Sequence, residues 1–149
     1  MRRLTRRDAL VLGMGTAAAW AGPRRARATP SEAEAEIAKF TGGKAAESGR
    51  IAIDLPEIAE NGNAVELSVK VESPMTAADH VIDLLVVADG NPNPRIATFR
   101  FTALSGRAEA TTRIRLAATE NVIVVARTND GRLFTARKEV KVTIGGCGG

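Results

Sequence analysis

The chain changes its hydrophobic period once. Between residues 31 and 40, apolar Ala33, Ala35, Ile37, Ala38 and Phe40 recur at helical spacing, and Gly42-Gly43 closes the run. Ser31 and Glu34 fit a capping box at its start. After Gly49 the period becomes two. Val65, Leu67, Val69 and Val71 alternate with Glu66, Ser68, Lys70 and Glu72, the mark of a strand with one buried face. Shorter alternations run over residues 50–55, ended by Pro56, around Phe99 and Phe101, and around Ile114 and Leu116. Residues 81–88 and 122–126 are almost continuously apolar and predict strands covered on both faces, with Asp83 as the one interruption. Asn129-Asp130-Gly131 predicts a hairpin turn into a last strand over 133–144. Seven strands with turn signals between them predict an all-β, immunoglobulin-like antiparallel sandwich preceded by one short helix. The body lacks the Trp and Tyr landmarks of antibody-type domains.

After the last strand the pattern stops, and Gly145-Gly146-Cys147-Gly148-Gly149 follows. Glycine has no Cβ and keeps wide backbone freedom, so these five residues predict a thin, flexible carrier arm with no evident reason to fold onto the body. Cys147 is the single cysteine of 149 residues. Structural cysteines are usually buried, whereas thiolate chemistry needs access. Cys147 is therefore the candidate functional residue, on an arm made of Gly145, Gly146, Gly148 and Gly149. A frayed terminus is the plain alternative.

Charge divides the chain at its other end. The formal net charge is +4, but residues 1–28 hold seven arginines and one acid, leaving 14 Lys and Arg against 16 Asp and Glu. The body is thus slightly acidic, and its four Phe are too few for base-stacking platforms. Both facts argue against nucleic-acid binding. Residues 1–28 predict an export signal: a basic start, an apolar run over 9–21 too short to span a bilayer, and small Ala26 and Ala28 around a cleavage site. Thr5-Arg6-Arg7-Asp8-Ala9-Leu10 resembles the twin-arginine pattern, with Arg6 and Arg7 as the pair. The predicted organisation is a signal over 1–28, a domain over 29–144 and an arm over 145–149. The mature chain then begins near Thr29 in a bacterial periplasm, with no membrane attachment after processing. In an oxidising compartment a lone cysteine stays free, pairs between chains, or holds something else.

The body offers little other chemistry. His80 is the only histidine, so neither a His-based metal site nor a Ser-His-Asp arrangement can draw on more. Glu32, Glu34 and Glu36 answer a helix dipole rather than a metal. Asn61-Gly62-Asn63 and Asn91-Pro92-Asn93-Pro94 read as turns, and Ser73-Pro74-Met75-Thr76 as a turn or a loop that meets a partner. No glycine-rich loop joins a strand to a helix, so a phosphate cradle is unsupported, and no metal or cofactor is expected.

Leu55-Pro56-Glu57-Ile58-Ala59-Glu60-Asn61-Gly62, Ser73-Pro74-Met75-Thr76, Thr112-Arg113-Ile114-Arg115-Leu116, the leader and above all the Gly-Gly-Cys-Gly-Gly end resemble the SoxY family, sulfur-carrier subunits of the periplasmic thiosulfate-oxidising system. The resemblance implies a carrier rather than an enzyme. Cys147 would be coupled oxidatively to thiosulfate by a haem-containing SoxAX-type partner, giving a cysteine S-thiosulfonate. A SoxB-type hydrolase would release sulfate, and a molybdenum-dependent SoxCD-type dehydrogenase would oxidise the remaining sulfane sulfur. A smaller SoxZ-like subunit would complete a heterodimer. Two other classes remain from the residues alone. One is a secreted immunoglobulin-like binding module with an interchain disulfide at Cys147. The other is a carrier using its terminal carboxylate, as ubiquitin-like proteins ending in Gly-Gly do, which the export leader opposes.

Overall fold

Residues 30–146 are described in the computed structural model of the chain. Helix α1 (Pro30–Thr41) opens on proline, which suits a first helical residue because the N–H it lacks would have no partner there. Ser31 therefore stands inside the first turn as the second helical residue, not at the cap where the sequence suggested it. Gly42 and Gly43 take φ of 65° and 77°, and the Gly43 N–H reaches back to Ala38 O at 3.1 Å. Glycine adopts this left-handed closure without a Cβ clash.

Nine strands follow: β1 (Glu47–Ser48), β2 (Ile51–Asp54), β3 (Ile58–Asn61), β4 (Val65–Val71), β5 (Val81–Ala88), β6 (Arg95–Arg100), β7 (Ala108–Ile114), β8 (Glu120–Thr128) and β9 (Leu133–Ile144). They form an immunoglobulin-like sandwich. The larger sheet runs β1-β9-β8-β5-β6, with β3 also on β9, and the smaller runs β2-β4-β7. The expected hairpin is present: Thr128 N–H donates to Arg132 O at 3.0 Å, with Gly131 at φ 85°. Two strands escaped the pattern. β1 and β3 are short, mostly exposed, and pair parallel to β9, so the sandwich is not wholly antiparallel. With so few residues, and only Ala59 buried among them, no alternation registers.

The main core lies between the sheets. Val65, Leu67, Val69 and Val71 of β4 meet Leu84, Val86 and Ala88 of β5 and Val122, Val124 and Ala126 of β8. The opposite face of β5 and β8 is covered by α1, where Ala33, Ile37 and Phe40 pack on Leu85, Val87, Ile123 and Val125. That third layer is why both strands read as continuous apolar runs. Each fully buried Leu or Val contributes about 1.5–3 kcal/mol, so losing the helix would leave several such residues in water.

Ser73-Pro74-Met75-Thr76 behaves as a structural turn. Met75 is 6% exposed, with φ 50°, and joins the core. Asp79 N–H bonds to Thr76 Oγ1 at 3.1 Å, and His80 Nδ1 lies 2.9 Å from Thr76 O. The histidine thereby fastens its own loop. Among the described residues, no helix is long and apolar enough to cross a membrane.

Candidate functional site

The last strand outruns its neighbour. β8 pairs with β9 only as far as Glu120 opposite Val140, and beyond that, among the described residues, β3 alone flanks β9, through Ile58–Lys141, Ala59–Val142 and Asn61–Ile144. Lys141 N–H bonds to Glu57 O at 2.9 Å and Val142 N–H to Thr119 Oγ1 at 3.0 Å. The chain then meets a relay of three backbone bonds. Gly62 N–H donates to Ile144 O at 2.8 Å, Leu116 N–H to Gly62 O at 2.8 Å, and Gly146 N–H to Leu116 O at 2.9 Å. The start of the tail is thus tied to two other segments of the body.

This crossing has room for glycine alone. A Cβ on Gly62 would stand 2.2 Å from Leu116 O, and one on Gly145 would stand 2.0 Å from Ala117 O. One on Gly146 would meet Gly62 O at 2.9 Å. The clashing atoms belong to backbone held by hydrogen bonds, so a larger residue must displace a segment. Gly62 was legible as turn chemistry, and Asn63 N–H does bond to Asn61 Oδ1 at 2.9 Å. Its larger role is spatial. Gly145 and Gly146 correct the expectation of an arm flexible from residue 145: Gly146 is buried and bonded, and the body extends through it. Sequence reasoning missed this because a glycine pair reads the same whether it is free or closely packed.

The loop that receives the tail is itself held from beneath. Asn91, 1% exposed, donates through Nδ2 to Arg115 O and accepts from Ala117 N–H at Oδ1, both at 2.8 Å. Glu120, 4% exposed, accepts Ala117 N–H at Oε1 (3.0 Å) and Gly90 N–H at Oε2 (2.7 Å). Neither residue carried a signal in the sequence, where Asn91 passed as part of a turn. Burial pushes the Glu120 carboxyl above its ordinary range, against the pull of the Gly90, Ala118 and Ala117 N–H groups, and the nearby Asp89 charge adds to the rise.

A raised acid binds its proton more readily in the folded chain. Its contribution is therefore full below the ordinary carboxylate range and fades as pH rises through the raised value. Glu120→Gln should destabilise by about 1–3 kcal/mol, because one backbone N–H then faces an amide NH2 and loses its acceptor. The deficit should be largest in acid and shrink towards neutral pH, as read by denaturant unfolding at a series of pH values. A deficit that grew with pH would contradict the assignment.

Cys147, Gly148, Gly149, Arg6, Arg7, Ala26 and Ala28 lie outside the described residues. Glu36 bonds to Lys39 at 2.7 Å and to Arg95 at 2.8 Å, ion-pair duty rather than metal ligation. Among the described residues, no group of three or more His, Cys, Asp or Glu is placed to hold a metal ion.

With this geometry in place, comparison with known proteins is specific. The family model described as sulfur oxidation protein SoxY matches residues 37–147, ending on the cysteine. The structure of the sulfur carrier protein SoxY from Chlorobium limicola f thiosulfatophilum is 32% identical, over 78% of this chain and 100% of that one, with a TM-score of 0.65. A superoxide reductase (neelaredoxin) from Ignicoccus hospitalis is 25% identical, over 77% and 94% of the two chains, with a TM-score of 0.55. A superoxide reductase from Nanoarchaeum equitans, at 13% identity over 64% and 100% and a TM-score of 0.54, shares the fold alone. No curated protein matches this chain.

Proposed function

The chain belongs to the SoxY family of sulfur oxidation proteins, and on that premise we propose that it carries sulfur intermediates covalently on Cys147. The observation that carries this reading is the anchor at Gly146. It gives the single cysteine a fixed point of departure from a body that offers no other nucleophile of its kind. The carrier arm then starts at Cys147, with Gly145 and Gly146 as its mount.

The cargo is thiosulfate-derived. In the first step the Cys147 sulfur and the terminal sulfur of thiosulfate join, the thiol proton leaves, and two electrons pass to a haem-containing partner. Water then cleaves the bond to the sulfonate group, releasing sulfate and leaving a persulfide on the cysteine. A molybdenum-dependent partner removes six electrons from the outer sulfur while three waters supply its oxygens. A last hydrolysis releases sulfate and restores the thiol. An ordinary thiol of pKa about 8.5 is only about 3% thiolate at pH 7, so the enzyme that receives the arm supplies the activation.

Export by the Arg6-Arg7 leader, cleavage at the Ala26 and Ala28 site near Thr29, a periplasmic location and a SoxZ-like second subunit complete the proposal. Intact and native mass of the protein from thiosulfate-grown cells test it together. Expected are a chain beginning near Thr29, an added sulfur species on Cys147, and a complex with one smaller subunit. A chain carrying only a Cys147–Cys147 disulfide would instead favour a secreted binding module.

A further inference from the structure

A second feature lies on the opposite face of the larger sheet, where α1 packs. Beside the last turn of the helix is a cleft of about 180 Å³, floored by Leu85 and Thr98 and walled by Lys39 and Phe40. Its remaining lining is Asp83, Arg95, Arg100 and Arg127. A β-bulge builds it. β6 pairs Ala97 with Val86 and then Arg95 with Val87, so Ile96 is an extra residue. Regular alternation would put Arg95 and Arg100, five apart, on opposite faces. The bulge returns both to the helix face, opposite Val87 and Asp83. On the other side of β5, Arg127 also stands opposite Asp83.

The charges here do not balance. Asp83 takes Arg127 closely and Arg100 at 3.8 Å, while Glu36 takes Lys39 at 2.7 Å and Arg95 at 2.6 Å. Among the described residues, four cations thus share two carboxylates around one cleft. The Arg127 guanidinium lies 5.0 Å over the Phe40 ring, and its Nε is buried with no hydrogen-bond partner among the described residues. A buried donor left unpaired marks the absence of an acceptor. Guanidinium groups are suited to planar pairs of oxygens, and the Thr98 hydroxyl offers a further donor on the floor.

We propose that this cleft binds a small tetrahedral oxyanion of the sulfate, thiosulfate or phosphate class, whose two negative charges match the excess. The proposal is independent of Cys147 and stands or falls without the carrier reading. The test is a titration of the full chain with sodium sulfate at ionic strength held constant with sodium chloride, following the amide resonances of Thr98 and Phe40. Thiosulfate and phosphate form parallel arms. Saturable shifts are expected with at least one of the three anions. Arg100→Gln and Arg95→Gln should each weaken binding about tenfold. Arg100 is largely exposed, at 87%, so its replacement leaves the fold in place. Lys70→Gln, on the smaller sheet, should bind as the unaltered chain does. Shifts that rise linearly with all three anions, or an unchanged response in Arg100→Gln, would overturn the proposal.

Discussion

Cys147→Ser should abolish thiosulfate-dependent turnover by the reconstituted sulfur-oxidising partners while leaving the melting temperature unchanged. A serine hydroxyl forms no sulfur–sulfur bond, and the chain has no second cysteine to take over. Among the described residues the core lies between the two sheets and beneath α1, and it is built from residues before Cys147. Turnover is the readout, with thermal unfolding as the control. Turnover at the unaltered rate would remove the cysteine from the mechanism, whatever family the chain belongs to.

The second large effect is expected at Gly145→Ala. A methyl there would stand 2.0 Å from Ala117 O, an oxygen on a loop tied down by Asn91 and Glu120. The loop cannot yield cheaply, so the end of β9 must. The Gly146–Leu116 bond should break, with a stability loss of about 1–3 kcal/mol as in other overpacked sites. Turnover should fall by up to about 100-fold, because misplacing a reacting group by about 1 Å is enough for that. Cys147 should still react at its normal rate with a small thiol reagent, since chemical access is not what was lost. That separation distinguishes a misplaced mount from a blocked thiol. Gly62→Ala should behave alike, because its Cβ would stand 2.2 Å from Leu116 O. Normal turnover and stability in both variants would show that the anchor does not serve delivery.

The two substitutions probe separate parts of the proposal, attachment at Cys147 and presentation by the glycine crossing. Only the first was visible as chemistry. A lone cysteine between glycines stands out in any sequence, because residue type alone carries the signal. The strands were legible for a similar reason. In β4, Val65 to Val71 alternate because one face meets the core and the other meets water. In β5 and β8 the alternation disappears because α1 covers the second face. Even the Asp83 interruption was informative, since it marks where the helix cover ends and a charged cleft begins.

What the chain by itself determined is therefore the part of the protein that depends on local pattern: the helix with its glycine stop, seven of the strands and the 128–132 hairpin. Tertiary structure decided the rest. Gly62, Leu116 and Gly146 are far apart in sequence and meet only when β3 docks on the overhanging end of β9. Asn91 and Glu120 acquire their role because two loops close over them, and the Ile96 bulge aims Arg95 through its pairing with β5. Those contacts depend on close approach between remote backbone segments. A glycine required by a neighbouring carbonyl is written with the same letter as one that is merely free.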